Sequence, residues 1–166
     1  MLRVIFDTNV YGLLVKESNI GKIQVQIAND KDFIIYGARI IRDELRDTPK
    51  SVKLGKLKIR NLLLNLYDRI TFGRCIEYNY DLERLALEFY VEYRTLGGIR
   101  SWKEISSDFK IVAHACMNGL DIVVSEDSRT MLSTIAIKAY KEVALRHSIR
   151  LPYFWKYEDI KNKFGF

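Results

Sequence analysis

Short apolar runs alternate along the chain with longer stretches in which apolar residues recur every three or four positions. The short runs are rich in branched and aromatic side chains and predict buried strands at residues 2–6, 33–36, 69–72 and 121–125. The longer stretches predict helices, because that spacing places apolar side chains on one helical face. The predicted helices cover residues 11–15, 20–29, 38–46, 81–96, 106–118 and 130–147.

The alternation of strands and helices predicts a three-layer α/β fold over residues 1–166, organised as one domain. Its central sheet should be mainly parallel, with four to five strands flanked by helices. A fully apolar strand such as residues 2–6 is typical of a parallel sheet, since both of its faces are covered. In such folds, ligands bind outside the carboxyl ends of the strands, so residues that follow strands are the first candidates for a functional site.

A basic segment without any acidic residue lies between the second and third predicted strands, at residues 48–67. Its pattern predicts an amphipathic helix, in which Val52, Ile59, Leu63 and Leu66 share one face. The whole chain has a formal net charge of +6, which together with this segment favours a polyanionic partner. The flank of the predicted helix carries three candidate contacts to such a partner, Lys53, Lys56 and Arg60.

The C-terminal tail, residues 150–166, has more aromatic side chains than a solvated chain end would carry. We expect the tail to pack on its own domain or on a second subunit, because exposed clusters of aromatic rings are unfavourable in water. Its aromatic residues are Tyr153, Phe154, Trp155, Tyr157, Phe164 and Phe166.

The composition is that of an ordinary soluble globular protein, with 48% hydrophobic and 29% charged residues. No apolar run approaches the roughly 20 residues of a membrane helix, and the first strand is too short for a signal peptide. We therefore expect a cytoplasmic protein without membrane association. Cys75 and Cys116 lack Cys-x-x-Cys spacing, so we expect two buried thiols and neither a disulfide nor a zinc site. His114 lies among apolar helix residues and is expected to pack rather than act as a base.

Four acidic residues occupy positions near the ends of predicted strands or on the neighbouring helices. Asp7 directly follows the first strand, and Asp127 lies just past the last. Glu44 is on the helix that leaves the second strand, and Asp108 is in the first turn of the helix before the last strand. Clustered carboxylates raise one another's pKa unless a cation neutralises them. A cluster of four therefore indicates a hard divalent metal, Mg²⁺ or Mn²⁺.

Each of these acids also has an ordinary structural explanation. Asp108 could stabilise a helix N-terminus, Asp127 could be a turn residue or a helix cap, and Glu44 could be a solvated helix charge. Asp7 is harder to explain in this way, because it ends a buried strand where α/β folds bind their ligands. Asn9 argues against a haloacid-dehalogenase-like phosphatase, which needs a second aspartate at that position.

Four sequence blocks resemble the signature blocks of PIN domains, in the family's order. They are VIFDTNV (4–10), the acid of IRDEL (41–45), DFKIVAHA (108–115) and GLDIVVSED (119–127). The resemblance implies a Rossmann-like fold and a metal-dependent ribonuclease, similar to the toxin half of VapBC toxin–antitoxin pairs. Ser125 stands where the family commonly has threonine, and Glu126 adds an acid. The resemblance assigns Asp7, Glu44, Asp108 and Asp127 to the acidic quartet, Asn9 to the polar position after the first acid, and Ser125 to the hydroxyl position before the last.

On these grounds we expect RNA phosphodiester hydrolysis by one or two Mg²⁺ or Mn²⁺ ions held by the quartet. Asn9 and Ser125 would orient the carboxylates, and Lys53, Lys56 and Arg60 would hold the RNA, since four acids repel phosphate. The resemblance also implies a homodimer and a possible cognate antitoxin. The alternative is a PIN-like module that binds RNA or a protein without cleaving it, and metal titration would separate the two.

Overall fold

Five parallel strands form the central sheet in the computed structural model, which describes residues 1–166, and eight helices surround it. In chain order the strands are β1 (Leu2–Phe6), β2 (Phe33–Ala38), β3 (Lys53–Leu54), β4 (Leu57–Lys58), β5 (Cys75–Ile76), β6 (Ile122–Val124) and β7 (Tyr153–Trp155). The helices are α1 (Thr8–Leu14), α2 (Ile20–Asn29), α3 (Arg39–Asp47), α4 (Ile59–Thr71), α5 (Tyr80–Thr95), α6 (Trp102–Met117), α7 (Thr134–His147) and α8 (Tyr157–Phe164).

The strand order in the sheet is β5-β2-β1-β6-β7, and every pairing is parallel. β1 is the central strand, and Val4, Ile5 and Phe6 are completely buried. From β1 the chain goes to β2 on one side, whereas β6 lies on the other side, so the order reverses between β1 and β6. Such a reversal opens a crevice at the carboxyl edge of a parallel sheet, where α/β proteins bind their ligands. The mainly parallel α/β sheet predicted from the sequence is confirmed.

The predicted strand at residues 69–72 is wrong, because those residues continue a helix. In α4, Leu63, Leu66, Tyr67 and Ile70 are buried at helical spacing, and this periodicity extends to the end of the apolar run. The helix stops at Phe72, which adopts a left-handed conformation with φ of 50°. The third strand of the sheet is instead the two-residue β5.

The amphipathic helix predicted over residues 48–67 is only half correct. Its second half is the beginning of α4, whereas β3 and β4 form an antiparallel hairpin that is exposed on both strands. Gly55 follows β3 with a φ of +59°, as a two-residue hairpin turn requires at its first central position. Lys53 and Lys56 therefore lie on a hairpin and do not share a helical flank with Arg60.

The aromatic tail packs on its own domain. β7 pairs with β6 at the edge of the sheet, and α8 follows it. Phe33 stacks on Trp155, with ring centroids 5.9 Å apart, and meets the edge of Phe164 at 5.4 Å. Tyr140 stacks on Phe154 at 5.8 Å. The tail thus completes the sheet and the core, and its aromatic residues give no reason to invoke a second subunit.

The two thiols differ in their surroundings. Cys116 on α6 is buried, as predicted, whereas Cys75 is exposed. The prediction of two buried thiols is wrong for Cys75 because β5 is a short strand at the edge of the sheet, with a neighbour on one side only. No helix of the chain combines the length and the apolar character needed to cross a bilayer.

His114 is a buried residue of α6, and its Nδ1 has no hydrogen-bond partner. Burial lowers the pKa of this imidazole from 6.5 to about 4. The unfolded chain therefore binds more protons than the folded chain between those two values. Stability conferred by the neutral ring is complete above pH 6.5 and is lost as the pH falls toward 4.

On acidification from pH 7 to pH 5, we expect the stability of the parent to fall relative to that of the His114→Leu variant. Between pH 7 and pH 5 the difference should be about 2 kcal/mol in the free energy of unfolding. Urea denaturation followed by circular dichroism measures it. His147→Gln, which changes the other histidine at the surface, is the matched control and should follow the parent. Parallel pH profiles for His114→Leu and the parent would contradict this prediction.

Candidate active site

Asp7 lies at the carboxyl end of β1, directly beside the end of β6. Its amide donates to Val124 O at 2.9 Å, which carries the pairing of the two strands one residue further. The carboxylate is 5% exposed and accepts three hydrogen bonds. Its donors are Thr8 N at 2.6 Å, Asn9 Nδ2 at 2.5 Å and Ser125 Oγ at 2.6 Å. The side chain therefore has a fixed orientation at the point where the strand order reverses.

Asn9 and Ser125 hold both sides of this crevice together. Asn9 Nδ2 lies 3.2 Å from Ser125 Oγ, and Asn9 Oδ1 accepts from the Glu126 amide at 3.2 Å. The roles predicted for these two residues as orienting groups agree with this geometry. Glu126 does not join the other acids, because its carboxylate accepts from the amide of Tyr157 at the start of α8.

Glu44 comes from the helix that leaves β2, as predicted. The Thr8 hydroxyl donates to Glu44 Oε2 at 2.5 Å, while the Thr8 amide bonds to Asp7. One residue thus connects two of the acids. Thr8 was not among the predicted site residues, although its position immediately after Asp7 was a usable signal.

Asp127 lies in the turn after β6, and local hydrogen bonds fix its carboxylate. The amides of Arg129 and Thr130 donate to Oδ1 at 2.9 and 3.0 Å, and the Thr130 hydroxyl donates to Oδ2 at 2.6 Å. Burial raises the pKa of Asp127, but the Thr130 and Arg129 contacts outweigh that effect and lower it below 3.8. Thr130 is a second residue that the sequence reasoning missed. Asp127 is thus a turn residue, as considered from the sequence, and it also lies close enough to Asp7 and Asp108 for its charge to raise their pKa values.

Asp108 lies well inside α6 and not in its first turn. The helix begins at Trp102, with Ser101 and Glu104 forming a capping box, four residues earlier than predicted. Stabilisation of the helix N-terminus therefore does not explain Asp108. Its carboxyl group shares the surroundings of Thr130, whose hydroxyl lowers its pKa.

The buried carboxyl groups are strongly perturbed. The pKa of Asp7 is raised to about 6. Burial is the largest cause, and the charges of Glu44 and Asp127 also raise the pKa, whereas hydrogen bonds from Ser125 and Thr8 lower it. Burial likewise raises the pKa of Asp108 to about 7, with contributions from the charges of Asp7, Asp127 and Glu44. The four acids are therefore close enough to interact electrostatically, although they come from four separate elements. Neither Asp7 nor Asp108 forms an ion pair with a lysine, arginine or histidine.

These carboxylates have the donor chemistry for a hard divalent cation, but they do not form a closed ligand set. No three acidic, histidine or cysteine side chains converge tightly enough to hold an ion. Glu44 and Asp127 instead bond to the hydroxyls of Thr8 and Thr130. The residues present fit a metal by their chemistry and by their need for positive charge.

The predicted RNA contacts lie outside this cluster. Lys53 and Lys56 are exposed on the β3–β4 hairpin, and neither forms an ion pair within the chain. Arg60 is half-buried, and its Nε donates to Thr48 O at 2.7 Å. The two lysines thus belong to the hairpin, whereas Arg60 belongs to the first turn of α4.

Comparison with known proteins supports the fold. No family model and no curated protein sequence matches the chain. A structure of VapBC2 from Rickettsia felis bound to a fragment of promoter DNA is similar, with a TM-score of 0.59 and 13% identity over 93% of this chain and 98% of that one. A structure of FitAB bound to the IR36 DNA fragment is similar with a TM-score of 0.58 and 15% identity, over 93% of this chain and 94% of that one.

These similarities identify the class of fold. The chain has the α/β fold of PIN domains, with its five-stranded parallel sheet and flanking helices. The fold implied by the four sequence blocks is thus confirmed.

We expect the metal-free protein to become less stable as the pH rises from 5 to 8. The folded-state pKa of Asp108 exceeds its unfolded value, so the stability from its neutral form is complete below pH 3.8 and is lost through pH 7. Between pH 5 and pH 8 the loss for this group is about 3 kcal/mol. Asp108→Asn should remove that part of the slope, as measured by urea denaturation in EDTA.

Added Mn²⁺ should restore stability to the parent at pH 8 and much less to Asp108→Asn, since a bound ion stabilises only the state that binds it. Asp32→Asn changes an exposed acid at the opposite, amino end of β2 and serves as the control. A parent that shows no pH slope in EDTA and no response to Mn²⁺ would contradict the role of Asp108.

Proposed function

We propose that this protein is a divalent-metal-dependent ribonuclease that hydrolyses RNA phosphodiester bonds. The observation that carries the proposal is the pair of carboxyl groups, buried Asp7 and half-buried Asp108, at the crevice of the parallel sheet. Both have raised pKa values, and neither forms an ion pair with a positive side chain. Such a site is costly to keep charged at neutral pH unless a cation occupies it. Perturbed carboxylates in a crevice are also what catalytic sites require.

Asp7, Glu44, Asp108 and Asp127 would hold Mg²⁺ or Mn²⁺, which when bound lowers the pKa of a coordinated water and stabilises the leaving oxygen. Asn9 and Ser125 keep the Asp7 carboxylate in one orientation. Thr8 and Thr130 do the same for Glu44 and Asp127. Loss of such orienting groups typically costs about 10 to 100-fold in metal affinity or activity.

We also propose that cations outside the quartet attract the RNA. Lys53 and Lys56 on the hairpin, with Arg60 behind them, are the densest group of cations in the chain and lie in a segment without acids. The exposed hairpin lysines suit long-range attraction of a polyanion, which depends on net charge more than on exact placement.

The toxin role is part of this proposal. The two similar structures, VapBC2 and FitAB, are DNA-bound complexes. By analogy with VapBC pairs, we propose that this chain acts as the toxin of such a pair and binds a cognate antitoxin. This analogy rests on the fold and on the matched sequence blocks. The cleavage experiment below therefore tests the chemistry of the site alone and requires no antitoxin.

Asp7→Asn should abolish cleavage while the protein stays folded. The amide keeps the shape of the side chain but removes a charge that would bind metal. We expect Mn²⁺-dependent cleavage of single-stranded RNA to fall by about 100-fold or more, measured after EDTA treatment and addition of Mn²⁺. Asp32→Asn should cleave like the parent. Equal cleavage by Asp7→Asn and the parent would exclude the mechanism, and a parent that binds RNA without cleaving it would indicate a binding module.

The homodimer is a further prediction. The exposed residues Tyr80, Leu87 and Val91 form an apolar stripe along α5, which is a suitable surface for self-association. Light scattering should give a dimer for the parent at micromolar concentration and a monomer for Val91→Glu. Val25→Glu, a similar change on α2, should remain dimeric. A monomeric parent would contradict this prediction.

A further inference from the structure

We propose that single-stranded RNA reaches the acidic site along the exposed face of α3, with one base on Tyr78 and its phosphates on Arg39, Arg42 and Arg46. This proposal rests on the proposed ribonuclease function, because it identifies the substrate path of that same site. It assigns binding roles to four residues that the sequence blocks do not single out.

Two depressions with shared lining residues form a groove along α3, and the first of them lies beside the acidic site. Its first part, of about 410 Å³, includes Glu44 and Ser107, the neighbour of Asp108, in its lining. Its second part, of about 300 Å³, is lined by arginines of α3 and by Cys75. The two parts share Arg39 and Asp43. Because the two parts adjoin each other at these residues, a chain bound in the second part would be directed toward Glu44 in the first.

The arginines form a row. Arg39, Arg42 and Arg46 are three and four positions apart on α3, so their side chains lie on one side of the helix. Asp43 contacts both Arg39 and Arg46, at 3.5 and 2.9 Å, and Asp68 pairs with Arg42 at 3.0 Å. These ion pairs are exposed and contribute little to stability. Phosphate groups can replace the carboxylates as bidentate partners of the guanidinium groups.

Tyr78 provides an aromatic surface in the first part of the groove. It is 51% exposed, although it lines a depression beside Glu44. Lys110 Nζ lies 5.7 Å from the centre of its ring and is fixed by Glu83 at 3.0 Å. An aromatic ring that is already held in place loses little conformational freedom when a base stacks on it. Stacking of a nucleobase on such a ring contributes about 1–3 kcal/mol.

The charge of the groove changes along its length. Near the quartet, Asp43, Glu44 and Asp47 outnumber Arg39 and Lys110, whereas the far part has three arginines and one aspartate. Phosphates are therefore favoured at the arginine end and repelled at the acidic end before a metal is bound. A neutral base, in contrast, can occupy the acidic end. Tyr78 lies where stacking is the stronger available interaction, so the substrate must expose an unpaired base.

The β3–β4 hairpin has the necessary charge but lacks this continuity. Its lysines belong to an exposed two-stranded ribbon, and no residue of the hairpin lines either part of the groove. The hairpin is therefore suited to attracting RNA, and α3 to placing it. Replacing three arginines of α3 removes the same charge as replacing three lysines of the hairpin. The hairpin variant is therefore a control for the α3 variant.

Binding of a short fluorescein-labelled single-stranded RNA, measured by anisotropy in EDTA, tests the path without any cleavage. Tyr78→Ala should weaken binding by about 10-fold and Tyr78→Phe by less than about twofold, since phenylalanine keeps the stacking surface. A duplex of the same sequence should bind equally to the parent and to Tyr78→Ala. The triple variant R39Q/R42Q/R46Q should flatten the dependence of log K on log salt by about two units, while R39K/R42K/R46K should retain it.

Cys75 supplies an independent readout, because it is the exposed thiol of the chain and lines the arginine part of the groove. Single-stranded RNA should protect Cys75 of the parent from alkylation by iodoacetamide. Protection should disappear in R39Q/R42Q/R46Q and persist in K53Q/K56Q/K58Q, which removes the same charge from the hairpin. Equal protection in these two variants, or unchanged binding by Tyr78→Ala, would overturn the proposed path.

The outcomes also separate this proposal from the ribonuclease function. If the binding and protection patterns are as expected but no Mn²⁺-dependent cleavage is found, the path stands and the nuclease proposal fails. If the parent cleaves RNA while Tyr78→Ala and R39Q/R42Q/R46Q bind and cleave as the parent does, the nuclease proposal stands and the path over α3 is wrong.

Discussion

The burial of the Asp7 carboxyl group at the end of the central strand is the constraint on which the site depends. Burial of a carboxylate is unfavourable unless hydrogen bonds or a cation compensate for the lost hydration. Three donors, from Thr8, Asn9 and Ser125, provide part of that compensation. They come from both sides of the crevice between β1 and β6, so the same bonds that stabilise the acid also fix the geometry of the crevice. The remaining deficit raises the pKa of Asp7, and a bound cation would relieve it.

The sequence was sufficient to predict the elements whose pattern is controlled by burial. The apolar run of β1 predicted a fully buried strand. Asp7 was singled out because it directly follows that strand, and Glu44 because it lies on the helix that leaves the next one. Residues 69–72 were misassigned because three apolar or branched residues in a row, Ile70, Thr71 and Phe72, fit a short strand and a buried helix end equally well. In the folded chain these residues continue α4, because its apolar face packs against the core. The hairpin turn at Gly55 was likewise hidden by a helical spacing of apolar residues on either side.

Within the site, sequence reasoning found the acids but not the hydroxyl groups that orient them. Acids at strand ends stand out because they interrupt apolar runs, whereas Thr8 and Thr130 are ordinary residues of a helix start and a turn. Their importance comes from hydrogen bonds that only the folded chain defines. The groove along α3 was also not predictable, because it combines Tyr78 and Lys110 with arginines that are distant from both in sequence.

The bond from the Tyr157 amide to the Glu126 carboxylate ties the C-terminal helix to the loop that carries Asp127. The Glu126 amide, in turn, is bonded to Asn9, which orients Asp7. The C-terminal helix is therefore connected to two acids of the site through a short series of contacts. A binding partner or a fused segment that displaced α8 would therefore alter the orientation of these acids, and with it the metal binding proposed for the site, without contacting the acids themselves.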